Sequence, residues 1–209
     1  MSMRRAGLLA CGVALLAAGC GGHTSAQSTS IAAAPHAHTV APVHGTPVAA
    51  SVDAQDFALR DHRGKIVRLS GQRGRVVLLT FLYTRCPDVC PLLAANLNAV
   101  LRSLSPKQRS GVRVIAISVD PAHDTQRAVG AFARSHALLP QFRYLIGSKS
   151  ELQPVWQGYN LVVQPRNAEE TEHSAYVLLI DRTGTPRMTY PSSVVAATVL
   201  RDLRRLALT

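Results

Sequence analysis

The sequence predicts an α/β domain: a mainly parallel central β-sheet with flanking helices and an added β-hairpin at its N-terminal end. Three observations carry this. Residues 75–82 and 112–119 are predominantly apolar runs, each followed by a stretch with helical spacing. A third run, residues 176–180, is followed by a turn, a further strand and a terminal helix. A short strand pair precedes all of these, around Asp61-His62-Arg63-Gly64. Apolar runs without alternation belong to strands buried on both faces, and strands alternating with helices call for a sheet covered on both sides.

The chain opens with an address. Residues 1–5 are basic, residues 8–18 are apolar but short for a bilayer span, and small residues lead to Gly19-Cys20. This order is that of a secretory signal peptide, assigned to residues 1–19. Ala17-Ala18-Gly19-Cys20 resembles the lipobox of bacterial lipoproteins, in which Cys20 becomes the acylated first residue. The lipobox has leucine three places before its cysteine, and Leu16 stands one place earlier. Cleavage elsewhere and an uncleaved anchor stay open, and each puts the domain outside the cytoplasm. Residues 20–50 are rich in Ala, Ser, Thr, Pro, His and Gly, and read as a flexible tether. His36-Ala37-His38 within it reads either as polar linker or as a weak metal capture point.

Residues 51–209 are left for the folded domain, enough for one core. Residues 56–60 and 65–69 form the hairpin. Residues 75–82 form the first central strand and lead straight into Cys86-Pro87-Asp88-Val89-Cys90. Leu92, Leu93, Leu97, Val100, Leu101 and Leu104 then recur at helical spacing until Ser105-Pro106. Residues 112–119 form the second central strand. Asp124-Thr125 caps a helix to about His136, residues 141–146 form a short strand, and residues 148–159 are helical despite Pro154. Residues 160–172 are a long polar loop before His173. After strand 176–180, Thr183-Gly184 turns into strand 186–190, and Ser192 or Ser193 caps a helix through Leu206. Hairpins at both ends of the α/β core, and no Gly-rich phosphate loop, fit a thioredoxin-like sheet rather than a doubly wound nucleotide fold.

The charge of +11 is scattered in single arginines with few aromatics between them, so a nucleic-acid surface is not expected. A solvated basic surface is expected instead, with attraction to anionic lipid or an acidic partner as the alternative.

Of the four cysteines only Cys86 and Cys90 fall in the folded part. Two cysteines so close in sequence cannot staple a large fold, so redox or metal chemistry is the better reading, with an inert surface disulfide as the alternative. Pro91 suits the first helical position, which sets Cys90 at or near the cap. Backbone N–H groups and the helix dipole there favour thiolate; Arg85 adds positive charge and Asp88 opposes it. Three residues between the sulfurs allow either a disulfide or a metal. One imidazole added to the pair makes a Cys2His set that favours copper and accommodates Cu(I), whereas zinc wants a fourth ligand. His173, between the polar loop and strand 176–180, is the histidine that a thioredoxin-like sheet turns toward the cysteines; His62, His123 and His136 are less well situated.

Three segments in order, Phe81-Leu82-Tyr83-Thr84-Arg85-Cys86-Pro87-Asp88-Val89-Cys90-Pro91, Val119-Asp120-Pro121-Ala122-His123-Asp124-Thr125, and His173-Ser174 ahead of residues 176–181, resemble the Sco/SenC family. The resemblance covers about residues 55–206. It implies a membrane-tethered, extracytoplasmic protein that binds copper, as Cu(I) or Cu(II), through Cys86, Cys90 and His173, with Asp120 in support. It also implies an acceptor or redox partner, the binuclear CuA site of cytochrome c oxidase subunit II. Thr171-Glu172 departs from the family pattern of an apolar residue and Asp before the histidine, and with Glu169 and Glu170 makes an acidic loop. The alternative function is thiol–disulfide reduction by Cys86 and Cys90. His173-Ser174-Ala175 lacks the proline that such reductases carry there, which favours metal. A peroxidase reading is weaker still, because Thr84 lies two rather than three residues before Cys86.

Overall fold

The computed structural model describes residues 45–48, 54–165, 171–173 and 175–207. The signal peptide, Cys20, most of the tether, His36 and His38 lie outside the described residues. In chain order the elements are β1 (Thr46–Pro47), β2 (Ala58–Asp61), β3 (Ile66–Arg68), β4 (Val76–Leu82), α1 (Val89–Arg102), α2 (Pro106–Ser110), β5 (Val112–Ser118) and α3 (Gln126–Ser135). There follow β6 (Phe142–Ile146), α4 (Lys149–Gly158), β7 (Val163–Pro165), β8 (Thr171–His173), β9 (Tyr176–Ile180), β10 (Pro186–Pro191) and α5 (Ala196–Ala207).

Eight strands form one sheet in the order β1-β10-β9-β4-β5-β6-β2-β3. Only β4–β5 and β5–β6 pair in parallel; the other neighbours are antiparallel. The sheet is therefore mixed rather than mainly parallel, because each terminal hairpin joins the parallel core in antiparallel sense, β9 against β4 and β2 against β6. Its core is thioredoxin-like. All seven residues of β4 are buried, as expected for a strand covered on both faces. The one polar member, Thr80, donates its hydroxyl to the Tyr176 carbonyl at 2.8 Å.

Register separates the faces. Thr80, Ala116 and Tyr144 are neighbours on one face, Phe81, Ile117 and Leu145 on the other. On the first face α1 packs against α5, and Phe132 of α3 meets the Tyr144 ring edge-on. On the second, Phe81 meets Tyr159 at the end of α4, with ring centroids 5.9 Å apart.

Several boundaries differ from expectation for identifiable reasons. Thr46 and Pro47, expected in the tether, pair with Thr189 and Met188 of β10. Proline is compatible with such an edge strand. Gly45 lies so close to the Tyr190 ring that a Cβ would come within 2.4 Å of it. Ser105 does not simply stop a helix: with Gln108 it forms the capping box of α2. The expected polar loop 160–172 contains β7 and β8, an antiparallel pair with Val163 opposite His173. Helix α5 begins at Ala196, beyond both Ser192 and Ser193.

Candidate functional site

Strand β4 ends at Leu82, and the chain turns through residues 83–88 into α1 at the carboxyl end of the parallel strands. Open α/β sheets place their sites at this end. Asp88 is the N-cap of α1, its carboxylate accepting the Val89 N–H. Cys90 therefore lies within the first helical turn and Pro91 two positions further in than expected. Pro91 is tolerated there because the first four N–H groups of a helix have no intrahelical acceptor. The capping carboxylate displaces the start of the helix toward the cysteines.

The two thiols are free and close together. The Cys90 backbone N–H donates to Cys86 Sγ at 3.3 Å. Cys86 is 9% exposed and Cys90 1%, so only the first reaches solvent. The Cys86 thiol is pushed down to about 6, chiefly by the hydrogen bond from the Cys90 side chain. The backbone N–H groups of Cys90 and Asp88 and the Tyr83 side chain add to this against the opposing effect of burial. Cys90 moves the other way. Its proton is held by the Cys86 sulfur, and burial and the charges of Cys86 and Asp124 raise it further. The pair therefore holds one thiolate and one thiol near neutral pH. Val89, 40% exposed, and Leu92, 59% exposed, stand beside the turn; Leu92 was expected on the buried helical face and is not there.

A buried acid supports the turn from behind. Asp124, 3% exposed, accepts the Thr84 N–H at 2.9 Å, the Thr84 hydroxyl at 2.6 Å, the Ser118 hydroxyl at 2.7 Å and the Tyr144 hydroxyl at 3.0 Å. It ties the cysteine turn to the end of β5 and the middle of β6. Burial raises its pKa, against these hydrogen bonds. The residue was read with Thr125 as a helix cap. Thr125 alone caps α3, accepting the Ala128 N–H, and Asp124 faces inward. Asp120, expected in a supporting role, lies 3.7 Å from Arg85 and accepts His123 Nδ1 at 2.8 Å. It thus holds the arginine that precedes Cys86. The signal for this network was a serine, Ser118, ending an otherwise apolar strand, with acids in the loop beyond it.

Strand β9 runs antiparallel to β4 with Val177 opposite Thr80, so the chain enters β9 at the end of β4 from which the cysteine turn leaves. His173, at the end of β8, precedes that entry by three residues. The other described histidines have surroundings of their own. His62 is partly buried, with its pKa lowered mainly by burial; His123 is held by Asp120; and His136 packs edge-on against Phe132. Among the described residues no helix is long and apolar enough to cross a membrane.

Comparison with known proteins gives a consistent answer. The family model SCO1/SenC matches residues 46–208. The mitochondrial SCO2 homologue of Bos taurus is 30% identical over 162 residues, covering 75% of this chain and 60% of that protein. The chain thus spans less than two thirds of that relative. Among solved structures, copper-bound ScoI of Bradyrhizobium japonicum superposes with a TM-score of 0.66 at 29% identity, covering 74% of this chain and 99% of that one. Apo Sco1 of Thermus thermophilus does so with a TM-score of 0.66 at 33% identity, covering 77% and 95%. With a family match running from the first edge strand through the last helix, around a cysteine turn built as described, this chain belongs to the SCO1/SenC family.

Proposed function

We propose that this protein binds copper outside the cytoplasm, on a membrane tether that begins at lipidated Cys20. It delivers the metal to an acceptor such as the CuA site of cytochrome c oxidase subunit II. Cys86, Cys90 and His173 are the ligands in this reading. The observation that carries it is the pair of free sulfurs in one turn, one of them favoured as thiolate by the Cys90 side chain and by backbone N–H groups. Soft thiolates with one imidazole suit copper. Copper is the cargo, and ligand exchange through the more exposed Cys86 passes it on. Related ScoI of Bradyrhizobium japonicum was solved with copper bound, which supports the same cargo here.

Anaerobic titration of the reduced full chain with Cu(I) and with Cu(II), followed by absorption and metal analysis, tests the proposal. One copper per chain is expected. His173→Ala is expected to abolish most Cu(II) absorption while Cu(I) stays on the two thiolates. An unchanged Cu(II) spectrum in that variant removes His173 from the site.

A second reading is favoured by the asymmetry of the thiols, which is what a thiol–disulfide reductase needs. The Cys86 thiolate attacks a partner disulfide, forming a mixed disulfide and releasing one partner thiolate. Cys90 then loses its proton and attacks Cys86. The internal disulfide closes, the second partner thiol leaves, and two electrons have passed to the partner. Failure to bind either copper ion, with retained reduction of a CuA-site disulfide peptide, selects this reading.

A further inference from the structure

The amino ends of the central strands carry a second concentration of charge, unconnected with the thiols. Side chains alternate across a sheet, so register assigns their faces. Arg113 lies opposite Val77, and Ile115 opposite Arg143. Arg75 is two residues before Val77, Arg113 is two before Ile115, and Leu145, two beyond Arg143, lies opposite Asp61. Arg75, Arg113, Arg143 and Asp61 therefore share one face on four neighbouring segments. With Lys65 and Gln72 they line a cavity of about 240 Å³.

The one carboxylate in this cavity is already occupied. Asp61 Oδ1 accepts the backbone N–H groups of Arg63 and Lys65, and Oδ2 takes Arg143 at 3.0 Å. The guanidinium groups of Arg75 and Arg113, unlike their backbones, make no hydrogen bond or ion pair with any described residue. Arg113 is nevertheless partly buried on a central strand, where burial and the charges of Arg143 and Arg75 lower its pKa. Arginine is seldom buried without a partner, and a half-desolvated guanidinium beside two others is costly. An anion with several oxygens relieves that cost by accepting from the guanidinium forks at once.

We infer that this cavity is a binding site for a small phosphate-type anion, held by Arg75, Arg113 and Arg143 with Lys65 at its rim. Its volume leaves room for a diphosphate. A concave site lined from several segments suits a soluble anion better than a flat membrane surface, although lipid headgroups offer the same phosphate chemistry.

Isothermal titration of the full chain with inorganic pyrophosphate at constant ionic strength tests this, alongside flotation with phosphatidylglycerol vesicles. Saturable one-site binding of pyrophosphate is expected, weakened by at least about tenfold in R75Q/R113Q. R113K, which keeps charge but loses the fork, is expected to fall between. Copper stoichiometry in these variants is expected to match wild type, which separates this site from the thiol site. Absence of saturable pyrophosphate binding overturns the inference, as does equal affinity in wild type and R113K, or in wild type and a folded R75Q/R113Q. Arginine-dependent binding to vesicles without binding of pyrophosphate also overturns it in favour of a lipid surface.

Discussion

Two buried aspartates serve opposite faces of the same sheet and do the same structural work with different partners. Asp61, fully buried, closes the β2–β3 turn by accepting two backbone N–H groups and then pairs with the Arg143 guanidinium. Asp124 closes the cysteine turn by accepting one backbone N–H and three hydroxyls, with no cation among its partners. Neutral donors satisfy the oxygens without cancelling the charge. Asp124 is accordingly pushed toward protonation by burial, and its charge reaches Cys90 and raises that thiol. That the described hydrogen-bond partners of Asp124 are all neutral thus helps keep the two cysteines unlike. The nearest arginine of the turn, Arg85, is directed to Asp120 instead.

The largest effect is expected where the charge is paired. In Asp61→Asn the new amide keeps one oxygen for the Arg63 and Lys65 N–H groups but turns its NH2 toward Arg143 Nη1. A guanidinium only about a fifth exposed is left beside a donor. Removing one member of a buried pair costs about 3 kcal/mol. Urea unfolding of the apo, reduced protein measures this. A cost well under 1 kcal/mol would show that Arg143 finds other partners and that the contrast between the two acids is false.

Asp124→Asn should be far milder, within about 1 kcal/mol of wild type near neutrality. The hydroxyls of Ser118 and Tyr144 can rotate to accept from the amide, and no cation is stranded. The pH dependence has a definite sign. A carboxylate whose folded pKa is raised contributes stability that is fully present below its ordinary value of 3.8 and is lost as pH rises through the raised value. The asparagine variant lacks this loss. Its stability relative to wild type should therefore rise as pH climbs from 3.8 upward. A relative stability that is flat, or falls, over that range removes the buried charge from the account of Cys90.

The contrast between these acids was only half visible in the sequence. Asp61 begins Asp61-His62-Arg63-Gly64, a turn whose acid bonds its own neighbours, and Gly64 adopts the positive φ of 82° that the turn requires. Such local chemistry is legible. The cysteine turn was legible for the same reason, since an apolar run, a close cysteine pair and a proline are all local signals. Asp124 collects partners from positions 84, 118 and 144, which only the folded sheet brings together. The pairing sense of β9 was hidden too, because a strand buried on both faces reads as the same apolar run whether its neighbour is parallel or antiparallel. Strands β7 and β8 carry no such run, and a polar loop was the natural reading of residues 160–172.

A third acid sharpens the comparison from the exposed side. Asp88 caps α1 next to the thiolate, and its two contributions pull in opposite directions. As a cap it fixes the turn whose N–H groups stabilise Cys86; as a charge it opposes the thiolate. Asp88→Asn separates them, since Asn and Asp are nearly equal N-caps and stability should change by only a few tenths of a kcal/mol. The thiol should then respond to lost charge alone. The half-point for alkylation of Cys86 by iodoacetamide, expected at about 6 in wild type, should move slightly lower in the variant. Cys90 should stay unreactive in both, because its proton is still held by the Cys86 sulfur. A half-point that rises instead would mean that the cap, not the charge, sets the thiolate, and that asparagine does not hold the turn as aspartate does.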